Sequence, residues 1–211
     1  MARNSLRYGM MQEIDVLAIG GSPRKDGNTS LLLAKFLEGS SAEGGRVSRI
    51  DLVDYTIAPC RECLACFSDG NCILGDDMQQ IYPRLLASDI IVFASPIFFY
   101  GVTGWAKAMI DRSQALWARK YVLKVSPSAT ETGKRWGYFI SVGGTRGQKV
   151  FEGAILTVKY FYDTLDATYA GELLFRGIDA KGDIEKEPGA LDSAYELGRR
   201  AVCELREKRG G

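Results

Sequence analysis

Four cysteines crowd into one short stretch of the chain, where Cys60, Cys63, Cys66 and Cys72 follow the pattern C-x2-C-x2-C-x5-C. Short C-x2-C steps bring several thiolates around one small volume, as a cubic [4Fe–4S] cluster requires. Zinc also accepts four thiolates, but its sites usually pair two close steps across a long gap. The spacing therefore favours an iron–sulfur cluster over zinc, and metal-free thiols are the remaining alternative. The fifth cysteine, Cys203, is expected to be a core or surface thiol of the last helix.

A second chemical feature is the polar loop GGSPRKDGNTS, residues 20–30, which joins an apolar run to a helical pattern. A helix N-terminus exposes unpaired N–H groups and the positive end of the helix dipole, which suits a phosphate. The loop contains neither G-x-G-x-x-G nor G-x-x-x-x-G-K-[ST], so a monophosphate fits better than a pyrophosphate or a P-loop nucleotide. The predicted phosphate ligands are Ser22, Arg24, Asn28, Thr29 and Ser30. In the alternative interpretation, one of the last three simply caps the helix.

A third feature is an aromatic loop, SPIFFYGVTG, which follows the apolar run at residues 89–94. Consecutive aromatic side chains at the end of a strand are suited to walling a planar ring, although packing under a loop is the alternative. The predicted ring contacts are Pro96, Ile97, Phe98, Phe99, Tyr100 and Gly101. The segment after the next strand is expected to add a third edge, with backbone N–H groups close to a ligand, through Ser141, Gly143, Gly144 and Thr145.

Composition restricts the chemistry further. The chain contains no histidine, which excludes Ser–His and Cys–His hydrolase mechanisms and histidine metal sites. Its 27 basic and 26 acidic residues leave a net charge of +1, which argues against a nucleic-acid partner. Apolar runs are too short to span a membrane, and no signal peptide is recognisable, so the sequence predicts a cytoplasmic protein without a membrane partner. No catalytic side chain is predicted, and Asp111 and Arg112 are expected to form an ion pair or an interface contact.

The elements that must position these loops alternate regularly. Predicted strands at 14–19, 46–52, 89–94, 136–142 and 168–175 are separated by helical patterns at 31–39, 76–87, 104–116, 148–165 and 190–208. Pro83 is expected to kink or restart the second of these helices. Such alternation predicts an α/β fold: a doubly wound, flavodoxin-like, five-stranded parallel sheet of order 2-1-3-4-5, with helices on both faces. Ligands of such sheets bind at the carboxyl ends of the strands, where the strand order reverses. The phosphate loop and the aromatic loop both follow strands that meet at that point.

The domain organisation predicted from the sequence is simple. Residues 1–12 are interpreted as an N-terminal tail, and residues 13–211 as a single flavodoxin-like domain with a cysteine-rich loop at 58–75. The polar segment 119–134 is predicted to be a lid or an interface arm, with a plain linker as the alternative.

The motifs GGSPRKDGNTS and SPIFFYGVTGWAKAMIDR together resemble the NADPH-dependent FMN reductase family of the flavodoxin-like superfamily. The cysteine motif between them is similar to that of its iron–sulfur flavoprotein branch. The resemblance covers residues 14–112 and implies FMN, with its phosphate on the first loop and its isoalloxazine ring beside the second. Family members often have Tyr where this chain has Phe98, so one hydroxyl contact to the ring is missing. The resemblance also implies homodimers or homotetramers.

The combined reading predicts an FMN-dependent oxidoreductase of iron–sulfur flavoprotein type, with NAD(P)H as electron donor and a small molecule as acceptor. Two alternatives stay open. One is an electron-transfer iron–sulfur flavoprotein that takes electrons from ferredoxin and has no NAD(P)H activity. The other is a flavin-free interaction module stabilised by zinc.

Overall fold

The computed structural model describes residues 13–126 and 134–210, and its centre is a five-stranded sheet. Every pair of neighbouring strands is parallel. The strands are β1 (Ile14–Gly20), β2 (Gly45–Asp51), β3 (Ile90–Ala94), β4 (Arg135–Gly143) and β5 (Ala167–Arg176). Each corresponds to a strand predicted from an apolar or alternating run, with ends shifted by no more than two residues.

Seven helices connect and cover the strands in the described part of the chain. They are α1 (Asn28–Ala42), α2 (Cys66–Asp69), α3 (Met78–Ala87), α4 (Gly104–Arg112), α5 (Gln114–Trp117), α6 (Glu152–Asp163) and α7 (Ala190–Gly210). Short 3-10 turns occur at Leu52–Asp54 and Asp183–Lys186, and a π-helical turn follows α5 at Ala118–Val122. None of the described helices has the length and apolarity needed to span a bilayer.

The strands lie in the order β2-β1-β3-β4-β5, which confirms the predicted flavodoxin-like topology. β1 pairs with β2 on one side and with β3 on the other, so the strand order reverses between β1 and β3. β3 and β4 are buried along their whole length, as expected of parallel strands covered on both faces. The loops that follow β1, β3 and β4 therefore meet at one edge of the sheet.

Two hydrophobic layers fix the sheet between the helices. On one face, Val16, Val92 and Ile140 pack with residues of α1 and α7. On the other, Phe93 and Phe139 pack with residues of α3, α4 and α6. Burial of each large apolar side chain contributes roughly 1.5–3 kcal/mol. The two layers hold the strand ends, and hence the loops, in fixed positions.

α1 and α7 approach each other closely because glycines face each other at their contact. A Cβ atom at Gly39 would lie 2.0 Å from the carbonyl oxygen of Tyr195. One at Gly198 would lie 2.0 Å from the carbonyl oxygen of Phe36. The close contact anchors α1, whose N-terminus forms one side of the ligand pocket described below.

The predicted helix at 104–116 is wrong in one respect, because it breaks at Ser113 into α4 and α5. The Ser113 hydroxyl donates to the carbonyl oxygen of Met109, four residues back, at 3.2 Å. Such back-bonding by serine often bends a helix. The bend leads α5 past Cys66, whose thiol lies 3.9 Å from the carbonyl oxygen of Gln114.

Other differences from the predicted elements are smaller. Residues 147–151 form turns, so α6 begins at Glu152 and not at the predicted residue 148. Pro83 lies inside α3, which continues through it. The predicted tail, residues 1–12, lies outside the described residues, as does most of the second half of the predicted arm at 119–134.

Candidate functional site

A pocket opens at the carboxyl ends of β1, β3 and β4, at the point where the strand order reverses. It holds about 630 Å³ of empty space, including its open side. Its walls come from the loops after β1, β3, β4 and β5. The lining residues are Ser22, Pro23, Arg24, Gly27, Asn28, Thr29, Pro96, Ile97, Phe98, Val142, Gly144, Ile178 and Asp179.

The first wall is the phosphate loop predicted from the sequence. The Ser22 hydroxyl accepts a hydrogen bond from the backbone N–H of Arg24 at 3.0 Å, which curls the loop towards α1. Helix α1 starts after Gly27, and no side chain in the described chain caps it there. The first-turn N–H groups and the dipole of α1 are therefore available to an anion, with Arg24 beside them. The alternative interpretation, in which Asn28, Thr29 or Ser30 caps the helix, is therefore wrong.

Asn28 lines the pocket, but its side-chain amide forms its hydrogen bonds with residues outside the pocket. Its Nδ2 donates to the carbonyl oxygen of Ala180 at 2.9 Å. Its Oδ1 accepts from the backbone N–H groups of Gly182 at 3.0 Å and Ile184 at 3.3 Å. These three bonds hold the loop after β5 against the start of α1. Asn28 thus shapes the pocket by fixing its fourth wall.

Ser30 lies outside the pocket, although it was grouped with the predicted phosphate ligands. Its hydroxyl donates to the carbonyl oxygen of Lys25 and accepts from Arg49 at 2.5 Å. On a helix, residue 30 points away from the face that Asn28 presents. Thr29, by contrast, lines the pocket and is buried. The structure therefore brings together Ser22, Arg24 and Thr29 as the polar side chains free to hold a phosphate.

The aromatic loop divides into two parts. Pro96, Ile97 and Phe98 line the pocket, whereas Phe99 and Tyr100 point into solvent. Phe98 and Gly101 form a small antiparallel bridge, with backbone hydrogen bonds in both directions at 3.0 and 2.9 Å. The two residues between them have φ values of 49° and 62°, the left-handed region that tight turns normally fill with Asn or Gly. The chain thus stores strain where it exposes two aromatic rings beside the pocket.

The loop after β4 lines the pocket with fewer residues than predicted. Of its four predicted residues, Gly144 lines the pocket, and Thr145 is exposed outside it. The buried Ser141 hydroxyl donates to the carbonyl oxygen of Ser95 at 2.7 Å and so joins the ends of β4 and β3. The carbonyl oxygen of Gly143 accepts from the N–H of Ile178 at 3.1 Å. Ser141 and Gly143 therefore position the walls without lining the pocket.

The wall after β5 was not predicted from the sequence. Ile178 and Asp179 form the fourth wall, after the left-handed turn at Gly177, and Asp179 adds a carboxylate to a pocket that also contains the cation Arg24. The fifth strand ends at the same edge of the sheet, and this was the available signal. Thr103 was missed as well: it caps α4 and donates to the carbonyl oxygen of Gly21, which ties the phosphate loop to the aromatic loop.

The pocket residues fit a flavin mononucleotide. An uncapped helix N-terminus with hydroxyl groups and an arginine suits a dianionic phosphate, and the apolar side chains of Pro96, Ile97 and Phe98 suit the edge of a planar ring. The loop at residues 20–30 lacks the G-x-G-x-x-G motif that is typical of a dinucleotide pyrophosphate site.

A second pocket contains the cysteine cluster. All four predicted cysteines line it, together with Leu64, Ile73, Leu74 and Arg112 among others. The loop from Cys60 winds tightly, with left-handed backbone at Glu62 and Leu64, and α2 then buries Cys66. Burial raises the pKa of the Cys66 thiol, and the neighbouring thiols add to that shift. The number and the chemistry of these donors fit an iron–sulfur cluster. Within residues 13–126 and 134–210, however, no three Cys, Asp or Glu side chains are arranged to hold a metal ion.

The base of the cysteine pocket is a buried ion pair. Arg112 Nη1 lies 2.5 Å from Asp76 Oδ2, and the arginine side chain is fully buried. The predicted ion pair of Asp111 with Arg112 is therefore wrong, because Arg112 pairs with Asp76 and Asp111 pairs with Lys107 on the surface. Burial opposes the charge of Arg112, but Asp76 outweighs it and raises the pKa of the guanidinium. Arg112 is thus a cation beneath four thiols.

Comparison with known proteins agrees with this geometry. An iron–sulfur flavoprotein of Methanocaldococcus jannaschii is 38% identical over 48% of this chain and 52% of its own length. A Bacillus subtilis protein named as an NAD(P)H-dependent FMN-containing oxidoreductase is 29% identical over 88% of this chain and 97% of its own length. The chain spans only about half to two thirds of the first curated relatives it matches, between 44% and 64% of their lengths.

Solved structures agree on the fold. A flavone reductase superimposes with a TM-score of 0.67 at 19% identity, over 92% of this chain and 64% of that chain. The sequence profile of NADPH-dependent FMN reductases matches residues 14–155, from β1 to the start of α6, and so includes both pockets except for the wall after β5. The chain belongs to the NADPH-dependent FMN reductase family.

Proposed function

We propose that this protein is an FMN-dependent oxidoreductase that takes electrons from NAD(P)H and passes them to a small-molecule acceptor. The observation that carries the proposal is the pocket at the strand-order reversal, where the uncapped N-terminus of α1 faces the side chains of Pro96, Ile97 and Phe98. The matched family and the name of the Bacillus subtilis relative support the choice of NAD(P)H as donor.

The roles of the chain's own residues follow from their positions. Ser22, Arg24 and Thr29 would hold the phosphate, and Pro96, Ile97 and Phe98 would exclude water from one edge of the ring. Bound FMN supplies the redox chemistry, since a flavin accepts hydride and releases electrons singly or in pairs. No side-chain acid or base is required, which is consistent with a pocket whose charged lining residues are Arg24 and Asp179.

The test uses the full chain purified without oxygen. FMN added to the flavin-free protein should quench flavin fluorescence at one equivalent, and NADH or NADPH should then bleach the flavin absorbance. Arg24→Gln should weaken FMN binding at least tenfold, because it removes a charge-assisted bond to the phosphate of about 1.5–3 kcal/mol. Lys186→Gln, which removes an exposed charge outside the pocket, is the matched control. Failure of both nicotinamides to bleach the flavin would overturn the donor assignment.

We further propose that the cysteine pocket holds a [4Fe–4S] cluster. The four thiols share one pocket, and several relatives are named iron–sulfur flavoproteins. Such a cluster exchanges single electrons. Anaerobic protein should contain about four iron and four sulfide per chain, whereas Cys63→Ser should contain neither in full. Zinc in place of iron, or metal-free thiols, would overturn this part and leave the flavin proposal standing.

Ferredoxin as electron donor is the second candidate, and the cysteine pocket is the observation that favours it. Reduced ferredoxin, added to the same anaerobic protein, separates the two. Bleaching of the flavin by ferredoxin but by neither nicotinamide would select the electron-transfer function.

We also propose that copies of this chain associate through the turn at Phe99 and Tyr100 in the aromatic loop and through the exposed face of α6. A Cβ atom at Gly153 would lie 2.8 Å from the carbonyl oxygen of Tyr100, so the turn packs on the first turn of α6. Leu156 and Tyr160 follow on the same helix at i and i+4 and are largely exposed, as is Phe99. Sedimentation should give a dimer or tetramer. Leu156→Glu should yield monomer, whereas Lys35→Glu on α1 should not; a monomeric wild type would contradict the proposal.

A further inference from the structure

Arg112 is the buried charge of the cysteine pocket. Two other charged residues line the pocket, Arg61 and Glu62, and both are exposed. Arg112, in contrast, is 1% exposed. Arginine side chains are almost never fully buried unless they are paired. It lies at the end of α4, outside the cysteine loop itself.

The guanidinium closes the cysteine loop at both ends. Arg112 Nη1 donates to the carbonyl oxygen of Ala58 at 3.0 Å, just before Cys60. Nη2 donates to the carbonyl oxygen of Leu74 at 3.3 Å, just after Cys72. One side chain therefore holds both the segment that leads into the cluster of thiols and the segment that follows it.

The ion pair is oriented with respect to the pocket. Asp76 accepts from Arg112 and from the backbone N–H of Ala58 at 2.9 Å, but Asp76 does not line the pocket, whereas Arg112 does. Among the described residues, the buried Nε of Arg112 has no hydrogen-bond partner. Arg112, the positive member of the pair, is thus the member that borders the pocket of thiols, and it retains one buried donor without a partner in the described part of the chain.

A group bound by four thiolates is anionic, and its reduced form carries one more negative charge than its oxidised form. A buried cation stabilises the more negative form, since interactions between charges are strong where water is excluded. Net charge and nearby hydrogen bonds are among the factors that set the reduction potential of iron–sulfur clusters. We propose that Arg112 raises the reduction potential of the cluster held by Cys60, Cys63, Cys66 and Cys72, and that Asp76 limits this increase. The inference rests on the proposed [4Fe–4S] cluster.

The experiment is a potentiometric titration of anaerobically purified, flavin-loaded protein, with the cluster followed by its EPR signal. Arg112→Gln removes the cation and should shift the midpoint potential to a more negative value. Asp76→Asn removes the opposing carboxylate, keeps an acceptor for Ala58, and should shift the potential to a more positive value. A residue that merely supports the loop would give no such pair of opposite shifts.

Arg119→Gln is the matched control. Arg119 donates to Gly70 and to Asn71 at 2.9 and 2.6 Å, so it also holds the cysteine loop. It does not line the cysteine pocket. Its variant should leave the midpoint potential within error of the wild type. A shift as large as that of Arg112→Gln would mean that any loosening of the loop changes the potential, and would overturn the proposal.

Iron and sulfide content decide the remaining outcomes. If Arg112→Gln assembles no cluster, Asp76→Asn decides: a positive shift supports the proposal, and an unchanged or more negative potential overturns it. If both lose the cluster, Arg112→Lys, which keeps the charge, must retain the cluster and a potential near that of the wild type, or the proposal fails. A wild-type protein that contains no iron overturns both the proposed cluster and this inference. The proposed reductase activity is tested separately, by bleaching of the flavin with NAD(P)H.

Discussion

The two pockets of this molecule are built on different physical principles. The pocket at the strand-order reversal, here called the flavin pocket, lies on the ends of four buried or partly buried strands. Backbone hydrogen bonds, such as the one between Gly143 and Ile178, join its walls together with the side chains of Asn28, Thr103 and Ser141. The cysteine pocket lies away from the sheet, in a loop whose regular structure is the single turn of α2. Its shape depends on the side chains of Asp76, Arg112 and Arg119.

This difference teaches how each site should respond to mutation. A site held by the sheet tolerates changes of its lining residues, which then alter mainly the binding of the ligand. A site held by a buried ion pair depends on both partners, because removal of one leaves an uncompensated buried charge. Mutations should therefore separate affinity effects in the flavin pocket from stability effects beneath the cysteine pocket.

The largest effect should come from breaking the buried ion pair. Arg112→Met removes the cation from a fully buried site and leaves the mostly buried Asp76 without its partner. Loss of one member of a buried pair costs about 3–5 kcal/mol. Urea unfolding, followed by circular dichroism, should show this loss of unfolding free energy.

The same helix offers a control for that experiment. Lys107→Ala breaks the pair with Asp111, whose two side chains are 53% and 42% exposed. Exposed pairs contribute little, so this variant should unfold close to the wild type. Equal losses in the two variants would show that the cysteine pocket does not depend on its buried pair.

The next effect concerns the wall of the flavin pocket. Asn28→Ala removes three hydrogen bonds to the loop after β5 and leaves its N–H groups without acceptors. An unsatisfied buried group costs about 1–3 kcal/mol, which favours release of the loop from α1. Loss of this wall should weaken FMN binding roughly 5- to 150-fold. Fluorescence titration with FMN measures this change.

Lys181 provides the comparison for Asn28. It lies in the same loop and forms an exposed ion pair with Asp26. Lys181→Ala should leave the affinity for FMN nearly unchanged, because solvent screens that pair. If both variants bind FMN like the wild type, the loop after β5 is not a functional wall.

Much of the fold could be predicted because its signals are local. Apolar runs of five to seven residues followed by glycine mark β1 and β4, and they alternate with helical patterns, which suffices for a doubly wound sheet. The phosphate loop and the cysteine motif are local as well, since their spacing is visible in a single segment. The strand order then brings the loops together without knowledge of any side-chain contact.

The remainder depends on contacts between distant residues. Asn28 and Ala180 are 152 positions apart, and no local pattern in either segment indicates their hydrogen bond. Phe99 and Tyr100 point outwards because their backbone is left-handed, a conformation that bulky residues rarely adopt and that their residue types therefore do not predict. The side chains of Ser30 and Arg49 meet across neighbouring elements. Long-range pairing and strain are the parts of the site that the sequence leaves open.

A smaller effect should appear at low pH. Burial would raise the pKa of Asp76, but hydrogen bonds from Arg112, Ala58 and Met78 outweigh it and lower the pKa. A carboxylate with a lowered folded-state pKa stabilises the fold above its ordinary value of about 3.9, and that stabilisation is lost as the pH falls through the lowered value.

Asp76→Asn isolates this contribution. The difference in unfolding free energy between the wild type and Asp76→Asn should be constant from pH 7 to about pH 5 and should shrink below about pH 4. A difference that stays constant to pH 2 would show that Asp76 is not the titrating group.

The smallest effect tests strain beside the flavin pocket. Tyr100 has a φ of 62°, where a residue with a Cβ atom is disfavoured by roughly 1–2 kcal/mol. Tyr100→Gly relieves that strain, but glycine also gains freedom in the unfolded chain, so a net stabilisation of up to about 1 kcal/mol is expected. Tyr100→Ala removes the same ring and keeps the Cβ atom, so it should not stabilise. Both variants lose the exposed ring and should weaken self-association equally. Equal unfolding free energies for the two would mean that the turn holds no strain, and that the sheet positions the aromatic loop at no energetic cost.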